Sequence, residues 1–258
     1  MTAPSQALRR ETEELDIEPQ ASVRAEYFSK RIALLLPTLN ENLGLRAVLP
    51  KIDRSVVSEV IVVDGGSTDG TIEYALANGL TVVSQIRRGL HFAIYDIGRA
   101  CQCDYVIEFS PDGNCPPELL SLIVAKLREG YDMVVASRYL DDAVSHDDHP
   151  ISAFGNWLFS RLMRPLAKFP ITDALTIYRG YNLDILFDED FAFYLNGPVL
   201  EPLVTGICAL KNLNVIEIPG EEPKRIGGVT KRSIIYNGSL VLLMIVRLYI
   251  RKFLRLRV

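Results

Sequence analysis

From residue 31 onward, short unbroken apolar runs alternate with stretches of helical periodicity, and no other feature of the chain narrows its fold so far. Ile32–Leu36, Val60–Val63, Thr81–Val83, Tyr105–Phe109 and Met133–Ala136 read as buried strands, with Asn214–Pro219 as another. Helical patterns fall between and after them, near 43–52, 70–78, 90–101, 116–129, 152–168 and 198–211. A strand that is apolar at every position, rather than at every second one, has both faces covered. Crossover helices supply that cover, so the pattern predicts an α/β fold with a mainly parallel sheet flanked by helices. Ligands of such sheets bind beyond the carboxyl ends of the strands. The expected site therefore lies on Pro37–Glu41, Asp64–Thr71, Ser110–Asn114 and Ser137–Tyr139, all polar segments.

Length and composition agree with this. A chain of 258 residues, 48% hydrophobic, is enough for one sizeable α/β domain. Residues 1–30 form a polar lead-in with Glu11, Glu13, Glu14, Asp16 and Glu18 and no apolar core of a signal peptide, so the expected location is cytoplasmic. Cys101, Cys103, Cys115 and Cys208 have neither a zinc spacing nor a disulfide framework, which favours reduced thiols. Residues 141–150, with four aspartates and two histidines, read as an exposed acidic loop.

Charge is unevenly placed. From Pro223 to the end there is no acidic residue and a charge of +9, which leaves −13 on the first 222 residues of a chain whose net charge is −4. Within 233–258 the longest apolar run, Leu240–Val246, is too short to span a bilayer. Arg247, Arg251 and Arg255 fall on one helical stripe, with Tyr249, Ile250, Phe253 and Leu256 on the other side. A basic amphipathic helix lying on an anionic membrane surface is the expectation, the protein being peripheral on the inner membrane face. A helix packed on the body or on a partner subunit is the competing reading, so a homo-oligomer stays open. No nucleic-acid partner is expected.

Four segments carry the chemistry: IALLLPTLNE (Ile32–Glu41), VIVVDGGSTDGT (Val60–Thr71), VIEFSPDGNCPPE (Val106–Glu118) and VVASRY (Val134–Tyr139). Their order and spacing resemble glycosyltransferase family 2, an inverting family with the GT-A (Rossmann-like) fold. Within it the likeness is to polyprenyl-phosphate sugar synthases such as dolichyl-phosphate mannose synthase. The resemblance implies a GT-A domain over 31–232, with a nucleotide-sugar half (31–140) and an acceptor half (141–232). It also implies transfer of a sugar from a nucleoside-diphosphate-sugar donor to a polyprenyl-phosphate acceptor. A glycan or small-metabolite acceptor, or a nucleotide-sugar-binding protein without catalysis, are the alternatives.

By the same resemblance Pro37, Glu41 and Asp64 belong to the nucleoside pocket. Gly65 stands where the family has a second acid. Ser110, Asp112 and Asn114 match the family's metal-binding strand end. Asp112 and Asn114 suffice as protein ligands for a divalent cation, Mg²⁺ or Mn²⁺, because a diphosphate and water complete the shell. Such a cation stabilises the leaving nucleoside diphosphate. Ser110 in place of an acid removes one negative charge there. Arg88 matches a basic donor-site residue. Arg138 is the expected acceptor-phosphate ligand, since its fork donates two hydrogen bonds to one phosphate, and Ser152 is the other acceptor contact. Asp173 in ITDALTIYRGY is the candidate for touching the sugar or acting as a base. Arg225 and Lys231 are expected on a loop hinged at Gly227-Gly228 that closes over the donor diphosphate.

Overall fold

The structure, a computed structural model, describes residues 27, 29–87, 89–188, 191, 200–226 and 234–255. Nearly all of the 1–30 lead-in lies outside the described residues, as do Arg88, Lys231 and the Gly227-Gly228 hinge. Seven strands form one sheet: β1 (Ile32–Thr38), β2 (Glu59–Asp64), β3 (Thr81–Ser84), β4 (Tyr105–Glu108), β5 (Met133–Ser137), β6 (Arg179–Asn182) and β7 (Val215–Pro219). Their order is β3-β2-β1-β4-β6-β5-β7. All neighbours pair in parallel except β6, which runs antiparallel between β4 and β5. The expected mainly parallel sheet is present, and the strands other than β6 point their carboxyl ends to the same edge.

The continuous apolar runs have the reason the sequence implied. In β1, Ile32, Leu34 and Leu36 enter one core while Ala33 and Leu35 enter the other. The first core is capped by helices α1 (Asn42–Val48) and α4 (Leu120–Arg128). The second lies under α3 (Leu90–Ala100), α5 (Pro150–Met163), α6 (Leu200–Lys211) and α7 (Ile234–Arg255). Helix α2 (Thr71–Ala77) connects β2 to β3.

Strand β6 has no counterpart among the expected elements. Its sequence, Arg-Gly-Tyr-Asn, contains no apolar run, yet Arg179 and Tyr181 are fully buried. Gly180 is required by contact: a Cβ there would lie 2.9 Å from Leu127 Cδ1 and 3.0 Å from both Ile107 Cγ1 and Ile123 Cγ2. The strand thus lets α4 settle closely onto the sheet.

Helix α7 docks on the body. Val241, Met244, Ile245 and Leu248, at helical spacing, are buried in the second core. The Lys252 ammonium donates to the carbonyls of Pro165 (3.0 Å) and Leu166 (3.1 Å), and the Tyr249 hydroxyl to that of Leu162 (2.7 Å). These bonds fix its far half to the end of α5. Tyr249, Ile250 and Phe253, expected on the apolar face, remain exposed, together with Leu242, Leu243, Val246 and Leu254. The helix has two apolar faces, one docked and one outward. The Arg255 side chain and residues 256–258 lie outside the described part. No described helix is long and apolar enough to cross a membrane.

Docking of α7 sets a stability test. Leu248→Ala should cost about 2–5 kcal/mol in urea unfolding, because Leu248 is fully buried. Leu243→Ala, at a position 46% exposed, should change stability by no more than about 0.5 kcal/mol.

Candidate active site

The chain leaves β1 towards β2 on one side and leaves β4 towards β5 on the other, so a crevice opens beyond the carboxyl ends of β1 and β4. Pro37 lies near the end of β1, half-buried, and Asp112 follows β4. Helix α1 approaches the Asp112 turn closely. A Cβ on Gly44 would lie 2.4 Å from the Pro111 carbonyl oxygen and 2.9 Å from the Asp112 Cα, so only glycine fits.

Around the crevice the β1 and β2 loops are sewn together. Asn40 N–H donates to Ser67 Oγ at 2.8 Å, Thr68 N–H to Asn40 Oδ1 at 2.8 Å, and Glu41 N–H to Thr71 Oγ1 at 3.0 Å. Asp64 is the buried anchor. Its carboxylate accepts from Thr38 Oγ1 (3.0 Å), Gly66 N–H (2.7 Å) and Ser67 N–H (2.8 Å). Burial alone would raise its pKa, but the hydrogen bonds from Ser67, Gly66 and Thr38 outweigh it and hold the group below the usual value. Asp64 therefore shapes the loop that carries Gly65-Gly66-Ser67.

The Asp112 turn offers oxygen ligands. Asn114 N–H donates to Asp112 Oδ1 at 3.2 Å, while Asn114 Oδ1 is buried with no hydrogen-bond partner among the described residues. An unpartnered buried acceptor beside a carboxylate fits a hard divalent cation that draws its other ligands from a diphosphate and water. No group of three or more His, Cys, Asp or Glu able to hold a metal occurs among the described residues. Arg225 reaches the same turn, its Nη1 3.9 Å from Asp112 Oδ2.

Arg138 and Asp173 face each other across the second half. Arg138 Nε donates to Asp173 Oδ2 at 2.6 Å, Nη2 to Oδ1 at 3.0 Å, and the Arg138 N–H to Oδ2 at 3.2 Å. The N–H groups of Leu175 and Thr176 add bonds of 3.1 and 3.0 Å to Oδ1. Burial opposes charge on both partners. Their mutual attraction wins, lowering the pKa of Asp173 and raising that of Arg138. A carboxylate so fully engaged is a poor proton acceptor. The third edge of Arg138 meets Glu222, with Nη1 3.3 Å from Oε2.

Arg138, Glu222 and Arg225 line a cavity of about 470 Å³. Its walls come from α5, with Ile151, Ser152 and Phe159, and from α7, with Gly238 and Val241. Ser152 is thus brought to the same cavity as Arg138. Asp147, Asp148 and Glu201 also reach it, and none of the three was expected there. Residues 141–150 are only partly the exposed loop the sequence indicated. Asp148 turns inward to accept from the Tyr139 hydroxyl, and Asp147 from Arg225 Nε at 2.7 Å. The partner of Asp147 lies 78 residues away, beyond any local pattern. The one available signal was the basic segment at Lys224-Arg225 opposite an acidic one.

The family model for glycosyl transferase family 2 matches residues 34–187, more than half of the chain. The chain belongs to glycosyl transferase family 2. Among curated proteins this family 2 enzyme is 29% identical over 233 residues to a dolichyl-phosphate hexose transferase of Haloferax volcanii, covering 90% of this chain and 99% of that one. It is 27% identical over 239 residues to a polyprenol monophosphomannose synthase of Mycolicibacterium smegmatis, covering 84% and 85%. Among solved structures it resembles glucosyl-3-phosphoglycerate synthase of Mycobacterium tuberculosis in complex with Mn²⁺, UDP and glucosyl-3-phosphoglycerate. The TM-score is 0.60 at 21% identity, covering 89% of this chain and 82% of that one. At that identity the likeness carries the fold alone.

Beneath the site of the glycosyltransferase lies a buried polar network. Arg179 donates to the carbonyls of Thr176 (2.9 Å) and Glu201 (2.8 Å) and to Thr205 Oγ1 (2.8 Å). Tyr181 donates its hydroxyl to Glu108 Oε1 at 2.5 Å, while Glu108 Oε2 has no partner among the described residues. Burial, helped by the charge of Glu201, pushes the Glu108 carboxyl up to about 8. Unfolded, a glutamate titrates at about 4.3. Between these values the folded chain holds a proton that the unfolded chain has released, so stability falls as pH rises through this window, by up to about 1.4 kcal/mol per pH unit. Glu108→Gln keeps an acceptor for Tyr181 and removes the ionisable group. In urea titrations the variant should match the wild type near pH 4.5 and exceed it at pH 8.

Proposed function

We propose that this glycosyltransferase moves a sugar, with inversion, from a nucleoside-diphosphate sugar to a polyprenyl-phosphate acceptor presented at a membrane surface. One observation carries the reading: the cavity with Arg138 in its wall lies between α5 and α7, two helices with apolar, acid-free outer faces. From Pro150 to Thr172 there is no Asp or Glu, and none from Pro223 to the end. Ile151, Phe154 and Trp157 of α5 are exposed, as are Leu242, Leu243, Val246, Ile250 and Phe253 of α7. Arg161 of α5, Arg164 and Lys168 in the segment that follows it, and Arg247 of α7 are also exposed. Apolar and aromatic side chains among cations, without acids, suit an anionic bilayer interface. An acceptor with a phosphate head and an apolar chain can place the head at Arg138 and leave by the crevice between the helices. Curated relatives named for dolichyl-phosphate and polyprenol substrates support the same acceptor class.

In the reaction the acceptor phosphate oxygen attacks the anomeric carbon. The bond to the donor β-phosphate breaks, and its electron pair leaves with the nucleoside diphosphate. An anionic phosphate needs no deprotonation, consistent with an Asp173 that is committed to holding Arg138. Pro37, Glu41 and Asp64 frame the nucleoside, and Arg88, Arg225 and Lys231 serve the donor diphosphate. Asp112 and Asn114 would hold a Mg²⁺ or Mn²⁺ ion, which would offset the charge that develops on the leaving group. Arg138 and Ser152 orient the acceptor head.

A second reading has its own support. The cavity also carries Asp147, Asp148, Glu201 and Glu222, a charge that suits a hydroxylated acceptor. Such an acceptor needs a base, and Glu222, whose pKa is raised by burial, faces the cavity.

The test offers labelled nucleotide sugars with Mg²⁺ or Mn²⁺, polyprenyl phosphate in vesicles, and soluble glycan acceptors. Label should enter the lipid phase, and Asp112→Ala should lower the rate by at least about 10²-fold. Soluble glycosides without lipid product, with Glu222→Gln inactive, would establish the second reading. Trp157 is the one tryptophan of the chain and is 55% exposed. Its emission should shift to the blue with anionic phospholipid vesicles and stay unchanged with neutral ones; an unchanged spectrum in both would rule out this docking face.

A further inference from the structure

The acidic loop that follows Tyr139 and the segment after β7 are bound into a strap across the site. A parallel bridge joins Ser145 to Glu222. In it His146 N–H donates to the Glu222 carbonyl at 2.8 Å, and Glu222 N–H to that of Val144 at 3.0 Å. The Ser145 hydroxyl donates to the Glu222 carboxylate, and the His146 ring meets Glu221 at 3.0 Å. Further along, Ile226 N–H donates to the Asp112 carbonyl at 2.7 Å, which draws the strap onto the Asp112 turn.

Arg225 sits where this strap passes Asp112. Its Nε and Nη2 both face Asp147 Oδ2, at 2.7 and 2.6 Å, and its backbone N–H lies 3.4 Å from Oδ1. Asp147 is the more buried of the two, its side chain 16% exposed against 32% for Arg225. With those two nitrogens occupied, Nη1 is the one turned to Asp112, at 3.9 Å. We infer that Asp147 is a positioning residue: it fixes the Arg225 fork so that the Nη1 edge stands over Asp112, ready for an anionic diphosphate. The inference rests on the donor-site reading given above.

The physical need is specific to this chain. Ser110 and Asn114 flank Asp112, leaving one carboxylate at the turn, so part of the charge opposite a diphosphate must come from a cationic side chain. An unheld arginine would lose rotamer freedom each time it bound. Held by Asp147, it presents a rigid donor edge at no further ordering cost.

Full-length wild type, Asp147→Ala, Asp147→Glu, Arg225→Ala and the double variant are titrated with UDP and with GDP, each with Mn²⁺, by calorimetry. Asp147→Ala should weaken the diphosphate that binds by about tenfold, the scale of one charge-assisted hydrogen bond. Asp147→Glu should restore most of it, and in the Arg225→Ala background Asp147→Ala should add nothing. In turnover, Asp147→Ala should lower kcat over donor KM more than it lowers kcat over acceptor KM. Asp147→Asn follows the same comparison if the alanine variant does not fold. Unchanged binding in Asp147→Ala, or an equal loss with and without Arg225, would overturn the inference while leaving the donor site standing. A wild type that binds neither diphosphate would overturn the donor-site reading and this inference with it.

Discussion

The cavity beside β5 depends on the ion pair between Arg138 and Asp173. It is two-pronged, with Nε and Nη2 each on a separate carboxylate oxygen, and the Asp173 side chain is fully shielded from solvent. A buried charge without its partner costs about 3–5 kcal/mol, so each residue confines the other to one geometry. The pair ties the end of β5 to the turn at 172–176. That turn is held in its own right by β7, because Glu217 accepts from Thr172 N–H (2.9 Å) and Asp173 N–H (3.3 Å). Ser137 and Thr172 hydroxyls meet at 2.5 Å across the same junction. Arg138 is therefore a fixed donor edge facing the cavity, not a side chain searching for an anion.

Because Arg138 is fixed there, the strap can be fixed too. Glu222 takes the remaining edge of Arg138 and is itself bridged to Ser145. From that point the strap runs to Arg225 and Asp112. The Asp112 turn and the Arg138 cavity are thus joined by a chain of charged contacts that begins at one buried carboxylate.

How legible this was in the sequence follows from the range of each interaction. The parallel strands could be read because burial on both faces leaves an apolar run, and the polar segments at their carboxyl ends followed from the same pattern. Strand β6 could not, because its buried residues are an arginine, a glycine and a tyrosine satisfied by distant partners, such as Glu108 for Tyr181. For α7 periodicity identified a helix but not its docked face: both Val241–Leu248 and Ile250–Phe253 supply apolar stripes, and only the core beneath decides between them. Asp112, Arg138 and Asp173 were each singled out from local motifs. That Arg138 spends its fork on Asp173, 35 residues on, and that Asp147 holds Arg225, are properties of the folded chain. Sequence spacing is silent on such pairs, and the local motif around Asp173 gave only a sugar contact or a base as its roles.

Charge in the cavity limits how an anion can enter it. Arg138 is already balanced by Asp173 and Glu222, and Arg225 by Asp147 with Asp112 nearby. On the lipid-phosphate reading, an incoming phosphate must replace one of these carboxylates at an arginine. Asp173 is the wrong one to displace, with two short bonds from the guanidinium and three from backbone N–H groups. Glu222 is the weaker partner: its contact is 3.3 Å, single, and on the cavity side. Burial also raises its pKa, so it accepts a proton more readily than an ordinary glutamate when a second anion approaches. A phosphate at the Arg138 edge that Glu222 vacates would keep the Asp173 fork intact. Acceptor binding then draws on the one carboxylate that can be neutralised without loosening the arginine, and the geometry of the acceptor site survives the exchange.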